Sequence, residues 1–138
     1  METVNIEKVL IVSIPSNLQV SISIEKGFPQ FSAYFSMLKR VLINLIQNAV
    51  QAMPNGGKLT INAQRQNNQA RISIEDTGEG IPEEVKSKLF TPLFTTKSKG
   101  QGFGLPVVKR LIEAQNGKIG FQTQNGKGTT FTIQLPLN

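Results

Sequence analysis

Four clusters in this chain have the residue types and spacing to handle a charged, flat ligand. The first is Asn44-Leu45-Ile46-Gln47-Asn48-Ala49, where Asn44 and Asn48 stand four apart and so share one face of a helix. A cleft-facing amide oxygen at Asn48 is a neutral hard ligand suited to Mg²⁺, an ion that keeps most of its waters and shares phosphate oxygens with the protein. Taken alone, the same amide reads first as a solvated surface group. The second is Asp76-Thr77-Gly78-Glu79-Gly80, which follows a strand-like run. A carboxylate there accepts a hydrogen bond from an exocyclic amine, and glycines let backbone approach a ring closely; Asp-x-Gly is also an ordinary turn. The third, Gly100-Gln101-Gly102-Phe103-Gly104-Leu105-Pro106, opens a helix, where bare N–H groups make an anion site. It lacks the Lys and Ser/Thr of a P-loop, and no strand leads into it as in a dinucleotide fingerprint. A ligand-free glycine cap is the alternative. The fourth is Thr95-Thr96-Lys97 with Lys99, cations placed to close over phosphates, or simply solvated.

What is missing narrows the chemistry further. There is no histidine and no cysteine, so Ser-His and Cys-His pairs, thiolates and imidazole metal sites are all excluded.

These clusters need elements to hold them. Gln19 to Glu25 alternates Val20, Ile22 and Ile24 with serines, a half-buried strand. A helix follows, capped by Ser32 or Ser36 and running to about Met53, with Leu38, Leu42, Leu45, Ile46, Ala49 and Met53 inward and Arg40, Asn44, Gln47, Asn48 and Gln51 on the polar stripe. Pro54-Asn55-Gly56-Gly57 ends it. Lys58 to Gln64 and Ala70 to Asp76 read as a hairpin. Thr77 to Gly102, with a short helix near Glu83 to Leu89, is too long and aperiodic for a plain connection and reads as a lid. A helix from Phe103 stops at Asn116-Gly117, and Lys118 to Gln124 and Thr129 to Leu135 form a second hairpin around Asn125-Gly126. The expected fold is α+β: a two-layer α/β sandwich whose mixed, mostly antiparallel sheet carries helices on one face.

At 138 residues, 38% hydrophobic and 17% charged, the chain has the size and composition of one globular domain. Its apolar runs fall far short of the about 20 residues of a membrane span. Met1 to Asn5 does not read as a secretory leader, so a cytoplasmic location is expected, free or as the cytoplasmic part of a membrane-bound sensor. A net charge of +6 favours polyanionic ligands. The cations are scattered and only Tyr34 and phenylalanines could stack on bases, so nucleic acid is not an expected partner.

Together with Leu89-Phe90-x-Pro92-x-Phe94-Thr95-Thr96-Lys97 and Gly128-Thr129-Thr130-Phe131, the clusters resemble, in order, the N, first glycine, F, second glycine and terminal boxes of sensor histidine kinases. The resemblance runs from Leu38 to the end and implies the Bergerat ATP-binding fold of the gyrase, chaperone, kinase and mismatch-repair superfamily. It implies that Asn48 holds Mg²⁺, that Asp76 binds the adenine amine, that Gly78 and Gly80 surround the base, and that Gly102, Phe103, Gly104 and Leu105 take the phosphates. Gln51, Ile81, Thr95, Thr96, Lys97, Gly100 and Thr130 complete the implied nucleotide contacts, with Asn44, Asn48 and Lys97 serving transfer.

The superfamily's ATP-hydrolysing clamps and serine kinases resemble one another in carrying a glutamate one turn before the metal-binding asparagine. Here that position is Asn44, and an amide takes no proton at neutral pH, so neither water nor a serine is activated from it. A neutral imidazole needs less help, which points to a histidine acceptor. Since the chain has none, the acceptor is expected on a separate dimerisation and phosphoacceptor domain, in cis or in trans, that feeds a response regulator. Residues 1–18 are then the remnant of a connection to it, and the isolated domain is expected to be a monomer without membrane contact, possessed of ATP and Mg²⁺ as its cofactors. Two departures stand out: Tyr34 where many members open the helix with aspartate, and Gln51 where many have lysine. The glutamine and Thr-Thr-Lys resemble the nitrogen-regulator subgroup. A serine kinase acting on an anti-sigma partner and a non-catalytic nucleotide-gated interaction module are the rival expectations.

Overall fold

In the computed structural model, residues 1–14, 19–90 and 104–137 are described. The elements run β1 (Glu2–Val4), α1 (Ile6–Ser13), β2 (Val20–Ile24), β3 (Phe31–Ala33), α2 (Phe35–Gln51), β4 (Leu59–Gln66), β5 (Gln69–Glu75), α3 (Glu83–Lys86), α4 (Leu105–Glu113), β6 (Lys118–Gln124) and β7 (Gly128–Pro136). Five strands form the main sheet in the order β2-β4-β5-β7-β6, in which only β2 and β4 pair in parallel. A separate antiparallel ribbon pairs β1 with β3.

Alternation decides which face the helices cover. In β4, β5 and β7 the residues Leu59, Ile61, Ala63, Ala70, Ile72, Ile74, Phe131, Ile133 and Leu135 are buried, while the residues between them are polar and half-buried. Onto the apolar side α2 lays Leu38, Val41, Leu42, Leu45, Ile46 and Ala49, and α4 lays Leu105, Val108 and Ile112. All of these belong to a single apolar cluster. The result is the expected α+β sandwich with a mixed sheet and helices on one face. Among the described residues no helix is long and apolar enough to cross a membrane.

Several local expectations are revised. Neither Ser32 nor Ser36 caps α2: Ser32 lies in β3, Ser36 lies inside the helix, and the residue at the cap, Tyr34, makes no side-chain cap bond. The helix start is served from a distance instead, Gln115 Oε1 accepting from Tyr34 N at 3.3 Å and Glu2 Oε1 from Phe35 N at 3.3 Å. A cap search restricted to neighbouring residues has no access to such partners. The helix near Glu83 shrinks to one turn with no buried residue, tied by the Lys86–Glu83 ion pair at 3.0 Å. The last helix begins at Leu105, after Gly104 in the left-handed region.

Residues 2–13, expected at the sequence level as part of a connection, form β1 and α1, and Val4, Ile6, Val9 and Leu10 enter the same core as α2. Asn5 caps α1, its Oδ1 accepting from Glu7 N at 2.9 Å and Lys8 N at 3.3 Å. Asn5→Ala is therefore expected to lower the unfolding free energy by about 1 kcal/mol, measured by urea titration; a silent substitution would mean that the Asn5 cap adds nothing to the folded state.

Candidate nucleotide-binding site

The site is assembled where β5, α2 and the β6–β7 hairpin meet. Asp76 directly follows β5, and strand alternation after Ile72 and Ile74 turns it toward the helix layer, where it is only 5% exposed. Its Oδ1 accepts from Gly78 N at 2.8 Å and from Thr129 N at 3.2 Å, while its own N–H donates to Thr129 O at 2.9 Å. Oδ2 accepts no hydrogen bond from the described residues, so one edge of a fixed carboxylate is left for a ligand's N–H. Desolvation by burial pushes the Asp76 carboxyl above the usual carboxylate range; the Gly78 and Thr129 N–H groups pull the other way, and the neighbouring Glu75 charge adds to the rise.

The glycines after Asp76 act through backbone packing. A Cβ on Gly78 would lie 2.2 Å from Ala52 O, because the loop crosses the C-terminal end of α2, and Glu79 N donates to that same carbonyl at 3.0 Å. One of the helix's orphan carbonyls is thereby satisfied. Gly80, at φ +79, passes so close to the hairpin that a Cβ would meet Gln124 O at 2.4 Å, and Gly126 N donates to Glu79 O at 2.7 Å. Outside this crossing lies a cavity of about 460 Å³ bordered by Met53, Gly78 and Glu79. Neither Asn48 nor Asp76 borders it, so it flanks the loop rather than marking the chemistry.

On α2, Asn44, Asn48 and Gln51 are half-buried on one stripe, and Asn48 Nδ2 donates to Asn44 O at 2.8 Å. That bond holds the Asn48 side-chain amide against the backbone of α2. Among the described residues no cluster of three acidic, histidine or cysteine side chains exists to form a protein metal cage. A Mg²⁺ here would therefore rest on one amide oxygen, phosphate and water, which suits that ion. Gly104, at φ +59, sits against Asn44: a Cβ on it would approach Asn44 Nδ2 to 2.8 Å. Gly104, at the N-terminus of α4, and the asparagine stripe are thus brought together. Leu105 is buried and adds packing and a backbone N–H rather than a ligand surface.

Thr95, Thr96, Lys97, Lys99, Gly100, Gly102 and Phe103 lie outside the described residues. Ile81 is half-buried against the core, its N–H held by Thr123 Oγ1 at 2.8 Å. Thr130 is paired with Glu75 and Gln122 and so lies on the face of β7 away from the helices, whereas Thr129 is the threonine that reaches Asp76. Thr123 and Thr129 carry no role in the sequence reading. The available signal was register: both sit at inward positions at the end of a hairpin, where a hydroxyl must find a partner.

Residues 35–138 match the family described as histidine kinase-, DNA gyrase B-, and HSP90-like ATPase. The chain belongs to that family. Membership implies ATP binding, and the carboxylate, asparagine stripe and glycine crossings described above are this ATPase-family domain's candidates for it. Curated relatives include Sporulation kinase C of Bacillus subtilis, 37% identical over 85% of this chain and 28% of its own length, and the sensor histidine kinase ZraS of Escherichia coli, 38% identical over 88% and 26%. The chain therefore spans about a quarter of the length of these relatives. Among solved structures it is similar to the catalytic domain of histidine kinase ThkA, with TM-score 0.76, 31% identity and coverage of 95% and 83%. It is also similar to the mycobacterial sensor histidine kinase MprB, with TM-score 0.83, 26% identity and coverage of 98% and 96%.

Proposed function

We propose that residues 1–138 are a single catalytic domain of a sensor histidine kinase, which binds Mg-ATP and delivers the γ-phosphoryl group to a histidine on a separate dimerisation and phosphoacceptor domain. The observation that carries the reading is Asn44 at the corner where Gly104 meets α2: the α2 residue against Gly104 holds an amide, not a general base. In transfer the P–O bond to ADP breaks, a bond forms to the imidazole nitrogen, and the acceptor's own lone pair supplies the nucleophile. Asp76 orients the base through its amine, backbone donors at the start of α4 face the phosphates, and Asn48 holds the metal. Bound Mg²⁺ supplies neutralisation of phosphate charge. Lys97 adds a cation, and catalysis is chiefly positioning.

Similarity to named sensor kinases supports this reading, as does the similarity, at 27% identity, to histidine kinase ThkA in a structure containing its response regulator TrrA. By the same reading the phosphoacceptor feeds a response regulator, the domain works in the cytoplasm, and alone it is a monomer.

Incubating the chain with γ-labelled ATP, Mg²⁺ and a purified phosphoacceptor domain from a related sensor kinase tests the proposal. The expected product is label on the acceptor that is acid-labile and alkali-stable, lost when a chelator removes the metal. Acid-stable label on serine, or nucleotide binding without any transfer, would sink it.

A further inference from the structure

One hydroxyl group lies between the exit of the first glycine loop and the strand that supplies one of the two donors to Asp76. Thr123 Oγ1 accepts from Ile81 N at 2.8 Å, lies 2.9 Å from Thr129 Oγ1 and lies 3.2 Å from Gly128 O. A hydroxyl has one proton and two lone pairs. All three contacts are served at once only when Thr123 gives its proton to Gly128 O and accepts from both Ile81 N–H and Thr129 O–H. The carbonyl it grips belongs to the same planar trans peptide as Thr129 N–H, so the two point in opposite directions. Holding Gly128 O toward Thr123 therefore aims Thr129 N–H at Asp76 Oδ1, 3.2 Å away. The other accepted bond anchors Ile81, where the first glycine loop leaves the site. No other side chain among the described residues is hydrogen-bonded to both the loop's exit and the strand that carries Asp76's donor.

We propose that Thr123 is a positioning residue for base recognition, its hydroxyl fixing the Gly128–Thr129 peptide and the Ile81 amide so that the open edge of the Asp76 carboxylate stays aimed at the exocyclic amine of the nucleotide. The proposal rests on the reading of Asp76 as the amine acceptor. Thr123 touches no ligand; it acts through backbone groups, so its signature is selectivity rather than affinity alone.

The test compares ATP with inosine triphosphate, which lacks the amine, by calorimetric titration of the whole chain. The wild type is expected to prefer ATP by at least about tenfold, as a site built around a donor rejects an analogue lacking it. Thr123→Val keeps the shape and removes every hydroxyl contact, and is expected to shrink that preference by about fivefold or more, while Thr123→Ser keeps it within about twofold. Thermal melting checks that the valine variant is folded; if it is not, Thr123→Ala removes the same hydroxyl with less strain and takes its place. Equal weakening of both nucleotides, with the preference intact, overturns the role of Thr123, as does a serine variant that behaves like valine. A wild type without preference overturns the Asp76 reading itself, and the two failures are told apart by which protein shows them.

Discussion

Asp76→Asn is expected to weaken ATP binding by roughly 10- to 150-fold, the equivalent of the about 1.5–3 kcal/mol carried by a hydrogen bond to a charged partner. The geometry explains why so small a change matters. Oδ1 is occupied by the Gly78 and Thr129 N–H groups, so an asparagine must place its oxygen there and turn its NH₂ to the open edge. A donor then faces the donor of the adenine amine. Calorimetric titration measures the loss, and an unchanged dissociation constant would contradict the assigned role.

The same residue fixes the expected pH dependence. Burial raises the folded-state pKa of Asp76 above its unfolded value. The folded state therefore holds the proton more tightly, and stability from this group is full below the unfolded pKa and is lost as pH rises through the folded one. At neutral pH the ionised carboxylate costs stability, and Asp76→Asn should melt no lower than the wild type while binding far less ATP. ATP affinity in the wild type should fall on acidification at a pH above the usual carboxylate range, and the asparagine variant should show no such step. A melting point that drops with the substitution would place Asp76 among structural residues instead.

How much of this was legible in the sequence follows from the range of the forces involved. The long helix, both hairpins and the sandwich class were readable, because periodic burial is written locally: Leu38 to Ala49 repeats at helical spacing and Ala70 to Ile74 alternates. The start of α2 was not, since its partners Gln115 and Glu2 are far away in the chain. Nor were β1, α1 and β3, short elements whose stability comes from joining the core of α2 rather than from propensity. At the site, residue types single out Asp76 and Asn48 as candidates, but the packing of the glycines appears only in three dimensions. Gly78 and Gly80 are read from sequence as surroundings of the base, whereas their packing partners are Ala52 and Gln124. Thr130 and Thr129 are adjacent and alike, and only strand register separates the outward one from the one that meets Asp76.

Gly128→Ala carries the second large effect, because it tests whether close backbone approach is what shapes this site. Gly128 adopts φ +124, a conformation that side chains rarely take, and a Cβ there would stand 2.1 Å from Asp76 O and 3.0 Å from Thr77 Cα. Both obstacles are backbone, so no side chain can swing aside. Strain of about 1–3 kcal/mol at such a φ, with overpacking of about 1–3 kcal/mol, gives an expected loss of roughly 2–6 kcal/mol, a large share of a typical domain's about 5–15 kcal/mol. Gly126→Ala is the matched control: it has φ +78 in the same turn, but nothing lies within 4 Å of its Cβ. It should lose only about 1–2 kcal/mol from its left-handed backbone and keep its ATP affinity. Denaturant melts and nucleotide titrations on the two variants separate strain from collision. If Gly128→Ala relieves its clash by pushing the Asp76 backbone away, ATP affinity falls along with stability; if the two variants behave alike, contact between the hairpin and Asp76 is not what holds the carboxylate in place.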